Sequence, residues 1–233
     1  MKIELKLQFN WLTGLILLNI FLFIVANLLF SLSPTEAARY DLVSLLGGFD
    51  FRKVLSGQLW LLITSGFLHF EFFHILVNMY SLYRLGSIVQ NFYSEKVLVL
   101  TYILGSLGGS LLTYIIFFGE RIVFKTNTNI LSVGASSGIF ALMGLLLGGT
   151  LRRSKFGVSF PFSFEDIIPI VLFSLFFGLM PGTNINNWAH IGGLVTGLIL
   201  GLILPHALGY RNKISKSLET ILYSIAMLLA VLS

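Results

Sequence analysis

Trp188-Ala189-His190-Ile191-Gly192-Gly193-Leu194-Val195-Thr196-Gly197 is the stretch on which the fold turns. Ala189, Gly193, Gly197 and Gly201 recur every four residues, laying a stripe of small side chains along one helix face. A second stripe, Ser137, Ala141, Gly144 and Gly148, is spaced i, i+4, i+7 and i+11 in the apolar segment that begins at Val133-Gly134-Ala135-Ser136. Such stripes let helix backbones touch, so the two segments are predicted to pack directly on each other. His190 and Ser136 each sit one residue to the side of their stripe, which puts a hydrogen bond between them within reach.

The rest of the chain explains why small residues matter. Of 233 residues, 56% are hydrophobic and only 11% charged, with a mean hydropathy of +0.90. Soluble domains carry about 25% charged residues, so this is read as an all-α polytopic membrane protein. Apolar runs of helical length fall at roughly 11–31, 72–92, 97–118, 134–151, 166–180, 187–205 and 217–232, judged against the ~20 residues that cross hydrocarbon. They predict one membrane-embedded domain over 1–233, with a six-helix core at 11–205 and a seventh helix within 206–233. The first run is too long for a signal peptide and lacks a small-residue cleavage site. Without Cys, disulfides and thiol chemistry are excluded.

A net charge of +5 raises nucleic acid as a partner, but the basic residues occupy short loops, where they report topology. With the N-terminus inside, Lys2, Lys6, Arg84, Lys96, Arg152, Arg153, Lys155, Arg211, Lys213 and Lys216 fall on the inner side. Arg39, Arg52, Lys53, Arg121 and Lys125 fall on the outer. This two-to-one excess predicts an N-in, C-out protein, expected in a prokaryotic cell membrane, and no nucleic-acid partner. The second, fourth and sixth spans then all run inward. His74, Asn78, Ser136 and His190 lie near their outer starts, at one depth, where positive helix ends favour negative charge.

Polar groups in hydrocarbon cost several kcal/mol unless paired, so these four are functional candidates. Ser136 alone reads more readily as a helix N-cap, and His190 alone often as an interhelical hydrogen-bonder. Together they are a hydroxyl and an imidazole that can take its proton. Ser137 is the alternative nucleophile, but its place on the stripe gives it a packing role. None of the ten Asp and Glu residues lies in a span beside Ser136 or His190, which predicts a dyad. His74 and Asn78, at i and i+4, share a helix face and could stabilise an oxyanion together with the Ser136 N–H. The less favoured alternative is a buried polar pair that holds the second and fourth spans together. His69 is expected in the interfacial loop, and His206 in solvent on the inner side.

These motifs resemble the rhomboid intramembrane serine proteases over roughly residues 55–204. Gly134-Ala135-Ser136-Ser137, with Phe140-Ala141-Leu142-Met143-Gly144, looks like the family's G-x-S-G serine motif. Ala189-His190-Ile191-Gly192-Gly193 looks like its A-H-x-x-G motif, and His69, His74 and Asn78 like its histidine–asparagine signature. Gly57-Gln58-Leu59-Trp60-Leu61-Leu62-Ile63-Thr64 resembles the stretch before that signature. The resemblance implies a Ser136–His190 dyad and an oxyanion site of His74, Asn78 and the Ser136 N–H. It implies a partly submerged loop near 32–70 and substrate entry near 165–187, with Pro181-Gly182-Thr183-Asn184 as a mobile cap. Expected partners are transmembrane protein substrates and membrane lipids, with no cofactor and no metal. Substrates would be single-span proteins, cut near the outer face at small residues.

The chain departs from the family pattern twice. Ser137 replaces a glycine, and Trp60-Leu61 replaces a Trp-Arg pair whose Arg braces the first external loop, so the bracing is expected to differ. The competing readings are a catalytically inactive relative that binds transmembrane helices, and a small transporter. A transporter would need discontinuous helices and usually an inverted repeat, neither of which is evident. There is no H-E-x-x-H and no intramembrane aspartate pair for the other protease chemistries.

Overall fold

A computed structural model describes residues 10–33, 35–156, 164–180, 183–204, 221 and 223–224. Among them, nine α-helices form in order: α1 (Trp11–Ser31), α2 (Glu36–Leu45), α3 (Phe51–Leu55), α4 (Leu61–Thr64), α5 (Phe72–Phe92), α6 (Glu95–Phe124), α7 (Ser136–Phe156), α8 (Phe164–Phe177) and α9 (Asn187–Ile203). A two-residue strand β1 (Phe49–Asp50) pairs antiparallel with β2 (Leu131–Ser132). The chain is a mostly helical, multi-pass membrane protein.

The apolar runs predicted α1 and α5 to the residue and missed some ends elsewhere. α6 is longer than 97–118, because the Ser94 side chain caps it at one end and Gly119-Glu120-Arg121 continue the helix beyond the apolar run. α7 starts at Ser136 instead of 134 because Gly134 has φ 130°, which no helix accommodates. α8 stops at Phe177, just before Gly178, three residues earlier than the hydropathy indicated. The seventh helix at 217–232 lies outside the described residues apart from Ile221, Tyr223 and Ser224.

α6, α7 and α9 form the centre through backbone contact. A Cβ added at Gly193, Gly197 or Gly201 would overlap the carbonyl oxygen of Ser137, Ala141 or Leu145. The constant offset means that α7 and α9 run parallel and in step, as their two stripes require. α6 lies antiparallel to both, because Gly105 packs on Ala141 while Gly109 packs on Ser137 and Ala189. α5 closes on α1, where a Cβ at Gly86 would come within 2.5 Å of Leu12.

α1 and α6 are long and apolar enough to cross a membrane, whereas the apolar parts of α7 and α9, Ser136–Arg152 and Asn187–Ile203, are shorter. At 1.5 Å per residue, the 17 residues of α9 reach only about 25 Å of the ~30 Å hydrocarbon thickness. Their N-termini can therefore lie below a membrane surface.

The segment between α1 and α5 is built, not loose. Phe49, Phe51, Val54, Leu61 and Leu62 are buried together against Leu107, Tyr114, Phe117 and Ile130. Leu61, standing where the resemblance places an arginine, is fully buried in this second core. Apolar packing thus braces the segment, supplemented by Asp50, whose carboxylate accepts from the Arg52 N–H at 3.0 Å and the Asn129 amide at 3.1 Å. The β1–β2 pair then joins the segment to the residues that lead into Ser136.

Candidate active site

Gly134 shapes the entry to α7. Its φ of 130° suits only glycine, and its N–H donates to the Ser65 carbonyl at 3.0 Å. A Cβ there would lie 2.7 Å from His74 Cε1, 2.8 Å from His74 Nε2 and 3.6 Å from Asn78 Nδ2. The i, i+4 pair on α5 therefore faces the turn before Ser136. His74 is half-buried and Asn78 buried.

Ser136 Oγ lies 2.9 Å from His190 Nε2, a hydrogen bond between residues 54 apart in sequence. His190 is 7% exposed and Ser136 half-buried. On the far side of the ring, His190 Nδ1 is buried and has no hydrogen-bond partner among the described residues. Orientation comes instead from Phe140, whose ring stacks on the imidazole at 4.2 Å and 10°. Phe140 lies one helical turn beyond Ser136, so one helix carries both the hydroxyl and the plate that holds its partner.

Ser137 is buried between α6 and α9, against Gly109 and Gly193. This is the packing position that its stripe predicts. Of the two serines, Ser136 makes the histidine contact.

His69 lies in the connection before α5, as expected of a loop residue, but it is fully buried and not at an interface with solvent. Its Nε2 is 2.9 Å from Asn78 Nδ2 and receives the Ala135 N–H at 3.2 Å. Both neighbours are donors, so Nε2 is the unprotonated nitrogen. One side chain thus fixes the Asn78 amide and the residue before Ser136. The ring also meets His74 edge-on at 5.0 Å. The five-residue spacing from His69 to His74 matches no helical repeat, which is why periodicity gave it no part. Phe140 carried a signal in its i+4 spacing from Ser136 that only the placement of His190 makes meaningful. His206, and Pro181 and Gly182 of the expected cap, lie outside the described residues.

Ser136, His190, His74 and Asn78 are therefore gathered at the N-terminal ends of α5, α7 and α9. The first residues of α7 have N–H groups with no carbonyl one turn back, and Ile139 is the first to bond, to the Ala135 carbonyl. A hydroxyl bonded to an imidazole, beside amide and imidazole donors and a positive helix end, is an arrangement able to generate and stabilise an alkoxide-type oxygen.

A family model described as the Rhomboid domain matches residues 56–207. RHOMBOID-like protein 6, mitochondrial, of Arabidopsis thaliana is 34% identical over 165 residues, covering 68% of this chain and 48% of that protein. RHOMBOID-like protein 4 of the same plant is 30% identical over 199 residues, 80% of this chain and 47% of that protein. Rhomboid protease GluP of Bacillus subtilis is 28% identical over 184 residues, 78% of this chain and 34% of that protein. The chain spans about half the length of the plant relatives it matches.

Proposed function

This chain belongs to the rhomboid family, and we propose that it is an intramembrane serine endopeptidase cleaving transmembrane segments of single-span membrane proteins near the outer face. The observation that carries the reading is the 2.9 Å contact between Ser136 Oγ and His190 Nε2. His190 Nε2 takes the hydroxyl proton as Ser136 Oγ bonds to the scissile carbonyl carbon. The carbonyl oxygen becomes an oxyanion, met by the Ser136 N–H, the Asn78 amide and His74. Collapse breaks the C–N bond, and His190 returns its proton to the leaving amine. Water then adds to the acyl-serine with His190 again as base, freeing the acid and restoring the hydroxyl.

Asn78 has two amide hydrogens, one of which His69 engages. The other serves the oxyanion. Phe140 takes the orienting place of a third, acidic member. The excess of Lys and Arg in one set of loops supports an N-terminus in the cytoplasm and a site open to the outer side. Within 11–205, α1, α5, α6, α7, α8 and α9 are read as the six membrane spans of the core, the other helices lying in the connections. Substrate enters beside α8.

Cleavage of a model single-span substrate by purified protein in liposomes tests the reading. Activity is expected to vanish in Ser136→Ala and His190→Ala and to persist, reduced, in Ser137→Ala. Asn78→Ala is expected to lower kcat more than it raises KM. Fluorophosphonate labelling at Ser137 would overturn the choice of nucleophile. A protein that binds the substrate and never cuts it would be an inactive relative.

A further inference from the structure

The dyad has a second rung one step upstream. Ser132 is four residues before Ser136, and Asn186 is four residues before His190. Asn186 Nδ2 lies 3.3 Å from Ser132 Oγ, so this bond joins the same two chain segments across the same separation of 54 residues as the Ser136–His190 contact. Resting on the protease reading above, we infer that Asn186 is a positioning residue that fixes the height and rotation of the first turn of α9, and with it the reach of His190 to Ser136.

Every polar atom of the Asn186 side chain is engaged. Its Oδ1 accepts the Ala189 N–H at 3.2 Å as the N-cap of α9. Its Nδ2 donates to Thr113 Oγ1 at 3.0 Å and to Ser132 Oγ at 3.3 Å. A flipped amide would set its NH2 against the Ala189 N–H, donor against donor, so the orientation is determined. Thr113 is fully buried and gives its own hydrogen to the Gly109 carbonyl at 3.0 Å, which leaves its oxygen as the acceptor. Gly109 in turn packs on Ser137 and the Ala189 carbonyl. Asn186 thus ties α9 to α6 and to β2, the two pieces that flank the start of α7.

The small-residue stripes alone do not set the dyad distance. They hold α7 and α9 at contact, but a helix can still turn about its axis or slide by a fraction of a turn. The first turn of α9 also follows directly on the segment after α8.

The test uses the full chain in liposomes, with kcat and KM for a single-span substrate and the rate of labelling by a fluorophosphonate, all normalised to folded protein. Asn186→Ser keeps an N-cap oxygen but cannot reach Thr113 or Ser132. It is expected to lower kcat and the labelling rate together by about tenfold, with KM within about twofold. Ser132→Ala is expected to lower both by about threefold, and the double variant to be no slower than Asn186→Ser, because both remove the same bond. Thr113→Val should mimic the loss and Thr113→Ser, which keeps the acceptor, should restore it. Unchanged labelling per folded molecule, or full additivity of the Ser132 and Asn186 effects, overturns the inference. If Asn186→Ser does not fold, Ser132→Ala and the Thr113 pair decide alone. A wild-type protein that neither cleaves nor labels sinks the protease reading and this inference with it, whereas an active wild type with unaffected variants sinks the inference only.

Discussion

Gly134→Ala isolates how much the turn before Ser136 contributes to chemistry, because Gly57 offers a matched control. Both glycines have positive φ, 130° at Gly134 and 102° at Gly57. An alanine at either position incurs backbone strain of about 1–3 kcal/mol. The surroundings differ. A Cβ at Gly57 has nothing within 4 Å, whereas at Gly134 it sits 2.7 Å from the His74 ring. Ordinary contact begins near 3.4 Å, so His74 must retreat by about 0.7 Å or rotate, which moves a proposed oxyanion donor out of position. Losing one such donor costs roughly 2.7–4 kcal/mol, or about 10²–10³-fold in kcat. Both variants should lose stability in thermal melts in detergent, Gly134→Ala the more because its Cβ also overlaps His74, while per folded molecule only Gly134→Ala loses kcat in the liposome cleavage assay. A Gly134→Ala enzyme whose kcat matches that of Gly57→Ala would refute the placement of His74 at the reacting centre.

Phe140→Ala removes the plate under His190, and an aromatic pair of this kind is worth about 0.5–1.5 kcal/mol. Steady-state kinetics should show kcat down by roughly threefold to tenfold, with Phe140→Tyr close to wild type. Gly197→Ala would force the new Cβ into the Ala141 carbonyl oxygen, so melting should report a loss of about 1–3 kcal/mol together with slower fluorophosphonate labelling as α7 and α9 separate. Leu61→Arg installs the residue of the resembling family where this chain has a fully buried apolar site. An unpaired charge there should destabilise the fold strongly in a melt, and unchanged stability would mean that the segment before α5 is not packed as described.

Period and composition made the helices readable. α1 and α5 need only an apolar run of the right length, so hydropathy located them. The stripes at Ser137, Ala141, Gly144 and Gly148 and at Ala189, Gly193, Gly197 and Gly201 encode a close approach that any helical folding of those residues must respect. Their partner surface on α6 carries the same signal, with Gly105 and Gly109 four residues apart and Gly108 beside them. Helix ends were less legible, since α6 outruns its apolar stretch and Gly134 delays α7 through a dihedral angle that hydropathy does not carry.

By itself the sequence determined that the chain enters a membrane, which helices touch backbone to backbone, and that a serine and a histidine fall at matching helix starts. Those properties are local or periodic, repeating every few residues along one segment. Only the tertiary structure decided that His69 reaches Ala135 across 66 residues, that Asp50 meets Asn129 across 79, and that an apolar core forms around Leu61. Such contacts join irregular loops, whose side-chain directions follow no fixed repeat, so their meeting depends on where the packed helices deliver the loop ends.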